Sequence, residues 1–381
     1  METGNRPVDV AVAPCASYEG PAVAKALEEA LAPLGGLGWV RPGMRVAVKP
    51  NMVMAKQPGQ AATTHPALVA ALCRMLAGRG AQVVVGDSPG GPYAKLLVEQ
   101  VYEATGMAAA AGPMLNRDFS QMDVRFPQAR VAKEFPFTAY LAGADAVINL
   151  CKLKTHGLVG MSCAVKNLFG VIPGTRKPEL HYLYPDAMAF AHMLVDLAEY
   201  CKPRLTIVDA VVGMEGNGPT AGTPRPIGAL LAARSPHLAD LAAAKLIGLD
   251  ARQVLTLRAA QERGLIPQGL EALHIAGDLD AFVQPGFKIP PLHSVDFKQS
   301  KPTLAYLMLV AAFRPRPVVQ AEACVGCGAC ARACPAQAIR LTEQWPAIKR
   351  KLCIHCFCCQ EFCPQGAIQP QRPWAARVLS R

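Results

Sequence analysis

Aromatic residues are scarce in this chain: they fill 6% of its 381 positions, and only three are tryptophan. Nucleic-acid-binding segments usually interleave aromatics with cations, and no such segment occurs. The formal charge of +11 is therefore not read as a nucleic-acid signature. An export leader is not expected either, because Met1–Val12 mixes Glu2, Arg6 and Asp9 without an apolar core. Long apolar runs are also absent. The longest, Leu304–Phe313, falls far short of the roughly 20 residues that cross a bilayer, so an integral membrane protein is not expected. The glycine-rich stretch from Gly213 to Pro219 fits neither the Walker pattern nor the dinucleotide fingerprint. Fourteen cysteines without an export signal suit a reducing cytoplasm, where thiols serve metals rather than disulfides.

What the chain does carry is C-x2-C-x2-C-x3-C-P, twice: Cys324, Cys327, Cys330, Cys334 and Pro335, then Cys353, Cys356, Cys359, Cys363 and Pro364. A 4Fe–4S cube needs four thiolates, and three closely spaced cysteines wrap only three corners, so the fourth ligand comes from elsewhere. In two-cluster ferredoxins the cysteine before proline crosses over. That rule assigns Cys324, Cys327, Cys330 and Cys363 to one cluster and Cys353, Cys356, Cys359 and Cys334 to the other. The runs are offset by 29 residues, as are Ala338-Ile339 and Ala367-Ile368, which marks an internal duplication. Cys358 is off pattern and reads as a packed thiol. From Arg314 to Arg381 ten Lys/Arg stand against three Asp/Glu. An oxidised cube with its thiolates carries a charge of about −2, so part of this basicity offsets the clusters. The remainder suits an acidic electron donor or acceptor protein.

Ahead of the cysteines, short apolar runs alternate with amphipathic stretches. Arg45–Lys49, Gln82–Val85, Ala146–Leu150 and Leu205–Val208 read as buried strands. Between and after them, Thr64 with Pro66 opens a helix to about Arg79, another covers Met188–Tyr200, and Ser235 caps one from Pro236 towards Ile247. Strand, helix, strand at this spacing predicts an α/β fold with a parallel or mixed sheet and flanking helices. We expect residues 1–284 to form this domain and 285–320 a proline-rich linker or strap. A two-cluster α+β ferredoxin-like domain over 321–370 and a basic tail over 371–381 complete the chain.

Ligands of open α/β sheets gather beyond the carboxyl ends of strands. Lys49, Asn51, Asp87, Lys152, Asp209 and Glu215 sit at or after such ends and are candidate anion- or substrate-binding groups. The stretch from Lys152 to His181 is the richest, with Lys154, His156, Lys166, Asn167, Arg176 and Lys177 threaded by glycines. Cations beside close-approach glycines suit a carboxylate or phosphate. Lys154, His156 and Lys166 are the candidate catalytic groups. An imidazole whose neutral form is favoured by nearby cations exchanges protons readily, although a lone histidine is commonly structural. Cys151 and Cys163 flank the stretch and read as buried structural thiols.

Lys49-Pro50-Asn51, Thr64-His65-Pro66, Gly86-Asp87-Ser88, Lys154-Thr155-His156, Lys166-Asn167-Leu168-Phe169-Gly170 and the Gly213–Pro219 stretch together resemble domain-of-unknown-function family 362. Its members often end in a ferredoxin. The resemblance implies an iron–sulfur protein with an α/β domain and assigns no reaction. The residues themselves favour an oxidoreductase in which two 4Fe–4S clusters relay electrons to an anionic small molecule. A flavin is an optional mediator that no fingerprint requires. A non-enzymatic electron carrier that docks a partner oxidoreductase is the alternative.

Overall fold

The computed structural model describes residues 6–291 and 314–371. The apolar run Leu304–Phe313, most of the expected linker and the basic tail beyond residue 371 lie outside the described residues. Ten strands precede the cysteine-rich module: β1 (Val10–Pro14), β2 (Arg45–Pro50), β3 (Gln82–Val85), β4 (Gln121–Arg125), β5 (Glu134–Thr138), β6 (Ala146–His156), β7 (Gly160–Ser162), β8 (Leu205–Glu215), β9 (Thr223–Ala233) and β10 (Ile275–Ala276). Eight of them form one sheet in the order β10-β1-β9-β8-β6-β2-β3, with β7 paired to the end of β6. β3, β2, β6 and β8 run parallel to one another, whereas β9 is antiparallel to both of its neighbours. β4 and β5 make a separate ribbon.

Central strands of such a sheet are covered on both faces, so their side chains alternate between two cores. Val46 and Val48 of β2, with Ile207 of β8, pack beneath helices Gly20–Leu31 and Pro66–Ala77. On the opposite face, Ala47 joins Phe190 and Leu194 of helix Ala187–Cys201, and Val208 joins Leu241 of helix Pro236–Leu246.

Three expectations need correction. Helix Pro66–Ala77 is capped by His65, whose ring accepts the Ala67 N–H, and not by Thr64. The Thr64 hydroxyl is committed elsewhere, donating to Leu150 O at 2.8 Å and accepting the Asn51 N–H at 2.8 Å. Lys152 and Lys154 do not lie in a loop after β6 but within it, because β7 supplies ladder partners as far as His156. Asp209 likewise lies inside β8, which continues to Glu215 because β9 returns alongside it.

In the module, β11 (Arg316–Val319) pairs with β14 (Ile368–Gln371), and β12 (Ile339–Arg340) with β13 (Ala347–Ile348). β11 thus pairs with the module, although sequence placed it in the linker. The duplication is visible in the backbone. Gly326, Gly328 and Gln337 have φ of +69°, +71° and +49°, and His355, Phe357 and Gly366, each 29 positions on, have +59°, +60° and +63°. The module packs on the α/β body: Lys56 Nζ donates to Pro364 O at 2.9 Å, the Thr220 hydroxyl to Glu361 O at 3.2 Å, and Gln360 to Asn217.

Candidate functional site

A cavity lies between the exits of β2, β3 and β6 and the module. Asn51, Asp87, Lys154, His156, Lys166 and Asn167, all singled out in the sequence, line it. Lys49 sits just behind, its Nζ 2.7 Å from Asp87 Oδ1 and 3.3 Å from Asn167 Oδ1. The remaining Asp87 oxygen accepts the Met52 N–H at 2.7 Å. Gly170 is required here, because a Cβ would collide with Asp87 Oδ1 and Lys49 Nζ. Asn167 ties the wall together by donating to Asn149 Oδ1 at 2.7 Å while accepting from Asn51 at 3.1 Å.

Lys154 Nζ donates to Asn51 Oδ1 at 2.8 Å and Ala62 O at 2.7 Å. Burial lowers its pKa to about 7, with the charges of Lys166 and Lys152 adding to the effect. Burial likewise lowers Lys177 to about 7 and depresses Lys166. The Lys166 ammonium stands 4.3 Å from the Phe169 ring centroid. His156 Nδ1 accepts the Leu158 N–H at 3.2 Å, which leaves the proton of a neutral ring on Nε2. That Nε2 points towards Glu361 Oε1, 3.2 Å away but out of hydrogen-bonding alignment, and both atoms are buried without a hydrogen-bond partner. Burial lowers the His156 pKa, so the neutral ring is favoured. Burial raises Glu361, but His156, Lys166 and His181 more than offset it and hold the carboxyl below its usual range. The two groups thus face each other across the cavity wall.

Three expected residues do not join this cavity. Lys152 pairs with Asp209 at 3.0 Å and donates to the Tyr18 hydroxyl at 2.8 Å. Tyr18 in turn stacks on His65 with ring centroids 3.6 Å apart. This closed network has every charge matched, and it ties β1, β6 and β8 together. Glu215 accepts the Lys288 N–H at 3.0 Å, away from the cavity. Cys151 and Cys163 are fully buried with their sulfurs 3.7 Å apart, which suits the structural reading.

A second, small cavity lies inside the module and is lined by Cys334, Cys353, Cys356 and Cys359. These four cysteines are one of the two crossed sets expected from the sequence. Around them stand Ile339, Ile348, Ile354 and Phe357, an apolar shell suited to a cube. In the other set, the Cys330 thiol feels both Cys363 and Cys327. The two runs also repeat their sulfur hydrogen bonds: Ala338 N–H donates to Cys334 Sγ and Ala367 N–H to Cys363 Sγ, each at 3.2 Å. Cys358 is buried beside Cys356 as a packed thiol.

The family model for DUF362, a domain of unknown function, matches residues 46–245, and a 4Fe-4S dicluster domain matches 323–367. The chain belongs to the DUF362 family. This DUF362 protein is 34% identical over 288 residues to a thylakoid-associated protein of Synechocystis sp., covering 74% of this chain and 88% of that protein. Among solved structures, the lactate racemase apoprotein from Thermoanaerobacterium thermosaccharolyticum aligns with a TM-score of 0.39 at 11% identity. That alignment covers 63% of this chain and 58% of the racemase, and no fold or function is carried over from it. Neither family match supports a flavin. Among the described residues no helix is long and apolar enough to cross a membrane.

Sequence reasoning about this DUF362 chain left several lining residues unassigned. Ser88, Phe169, Lys177 and His181 belong to stretches that were recognised, and the basic pattern itself pointed to the last two. Glu361 and Phe362 carried no signal, because they fill the unspecified positions between Cys359 and Cys363 in a run read only for its ligands.

Proposed function

We propose that this DUF362 protein is an iron–sulfur oxidoreductase whose electrons reach a small anion held in the cavity between the α/β body and the module. One observation carries the reading. Glu361, which lies between the ligand cysteines Cys359 and Cys363, faces the same enclosed space as Lys154, His156 and Lys166. Bound by the two crossed cysteine sets, 4Fe–4S clusters supply electrons one at a time. The chain's own residues hold the substrate and handle protons. Lys154 and Lys166 offer charge-assisted hydrogen bonds to a carboxylate or phosphate. His156 lines the ligand space with its Nε2 facing Glu361, the adjacent carboxylate that orients the imidazole and stabilises its charge when it takes up a proton. The electron-carrier alternative expects these groups spread over a docking surface, and their enclosure argues for the enzyme. We place the protein in the cytoplasm on the strength of its cluster-forming thiols, with an acidic redox protein as its electron partner.

The test is anaerobic purification followed by mass spectrometry of small molecules released on denaturation. An anion recovered from the parent protein and lost from Lys154→Met supports the reading. Recovery unchanged in Lys154→Met and Lys166→Met would sink it.

A further inference from the structure

The cationic cavity shares Gly90 and Phe362 with a wide groove that opens between the α/β body and the module. Phe362 packs so closely on Gly90 that a Cβ there would collide with its ring. Gly90 and Phe362 therefore stand at the boundary between the cationic chamber and a largely apolar channel, whose walls include Met54, Pro92, Leu97, Val101, Tyr182 and Leu183. Leu97, Tyr182 and Leu183 are 39%, 56% and 66% exposed, apolar surface that is stabilised when something covers it. The chamber supplies the complementary half, with the cations Lys154, Lys166 and Lys177 and the facing pair His156 and Glu361 beside Phe362.

We propose that the ligand of this site is an amphiphilic anion. Its head sits among Lys154, Lys166 and His156, and an extended apolar tail passes Phe362 into the groove. The proposal rests on the anion-pocket reading and adds the tail. A ligand so placed spans both spaces and lies against Cys334, which also lines the groove.

Calorimetry on the full, cluster-loaded chain under anaerobic conditions tests this with butyrate, octanoate and dodecanoate below their micellar concentrations. Affinity should rise about fourfold for each methylene that the groove buries, the scale expected for apolar transfer. The variant L97K/L183K, altered at two exposed positions, should lose at least about tenfold of the dodecanoate gain and keep butyrate affinity. Lys154→Met should weaken all three chains alike. Equal affinity for butyrate and dodecanoate would overturn the tail while leaving the anion pocket standing, whereas failure of all three chains to bind removes both. Dodecanoate binding that Lys154→Met leaves intact would also overturn the proposal, by reducing the groove to an apolar patch without a head site. Flotation with phosphatidylglycerol vesicles separates the sources. Binding lost in L97K/L183K assigns a bilayer-presented amphiphile, and no flotation assigns a free one.

Discussion

Lys154 shows how burial gives a cation work that its sequence position only suggests. With its pKa lowered to about 7, it is poised to charge when an anion arrives and to release its proton when the site empties. The sign of the pH dependence follows. An unfolded lysine keeps its proton to about pH 10.4, so between about 7 and 10.4 the unfolded chain binds more protons than the empty folded protein. Lys154 therefore makes the empty protein more stable as pH rises through that window, while anion affinity falls. We expect affinity to drop about tenfold per unit above pH 7, and the slope to flatten in Lys154→Met, as measured by calorimetry across pH 6–9. The same substitution should cost roughly 1.5–3 kcal/mol of anion binding through loss of a charge-assisted hydrogen bond. His156→Gln should spare binding and slow proton-coupled turnover by about 10²–10⁴-fold. Equal turnover in both proteins would leave His156 a structural residue. These residue types were legible because cations and a histidine among glycines are chemically conspicuous. Their partners were not: Glu361 comes from a segment some 200 positions away, and only tertiary packing brings it to His156.

At the scale of elements, the parallel strands were legible because two-sided burial writes continuous apolar runs into β2, β3, β6 and β8. The extensions of β6 and β8 were hidden, since lysines and glycines within a strand look like loop chemistry until the partners supplied by β7 and β9 are seen. β9 itself opens with Thr223-Pro224-Arg225-Pro226, a start that reads as a turn. The segment around Gly170 gives a sharp test. Gly170→Ala must separate Lys49 from Asp87, a buried pair with side chains 0% and 3% exposed. We expect a loss of about 3 kcal/mol in denaturant unfolding, the scale for breaking a buried ion pair. In the module, the crossed ligand sets make Cys334→Ser damage the cluster held by Cys353, Cys356 and Cys359. Cys363→Ser should damage its partner. Iron analysis of anaerobic protein should find about eight irons in the parent, and spectroscopy of each variant identifies the cluster that survives. Survival of the wrong cluster would refute the crossing.

At the scale of the whole molecule, the cysteine module does two things: it holds the cluster ligands, and with Glu361 and Phe362 it closes the cavity. Among the described residues, the three large apolar cores draw only on positions up to Ile289, and none comes from the module. We expect a chain ending at Pro291 to melt cooperatively when followed by circular dichroism. Its site, however, loses the wall that dries it. Burial is the main cause of the depressed Lys154 pKa, and opening the cavity to water relaxes that cause. The truncated protein should then bind anions more weakly, because charge-assisted hydrogen bonds lose strength in water. Its affinity should also hold to a higher pH than in the full chain, with the fall moving from near 7 towards the ordinary lysine range. An unchanged pH midpoint in the fragment would mean that the module does not enclose the site, and the proposed link between cluster domain and substrate pocket would fail with it.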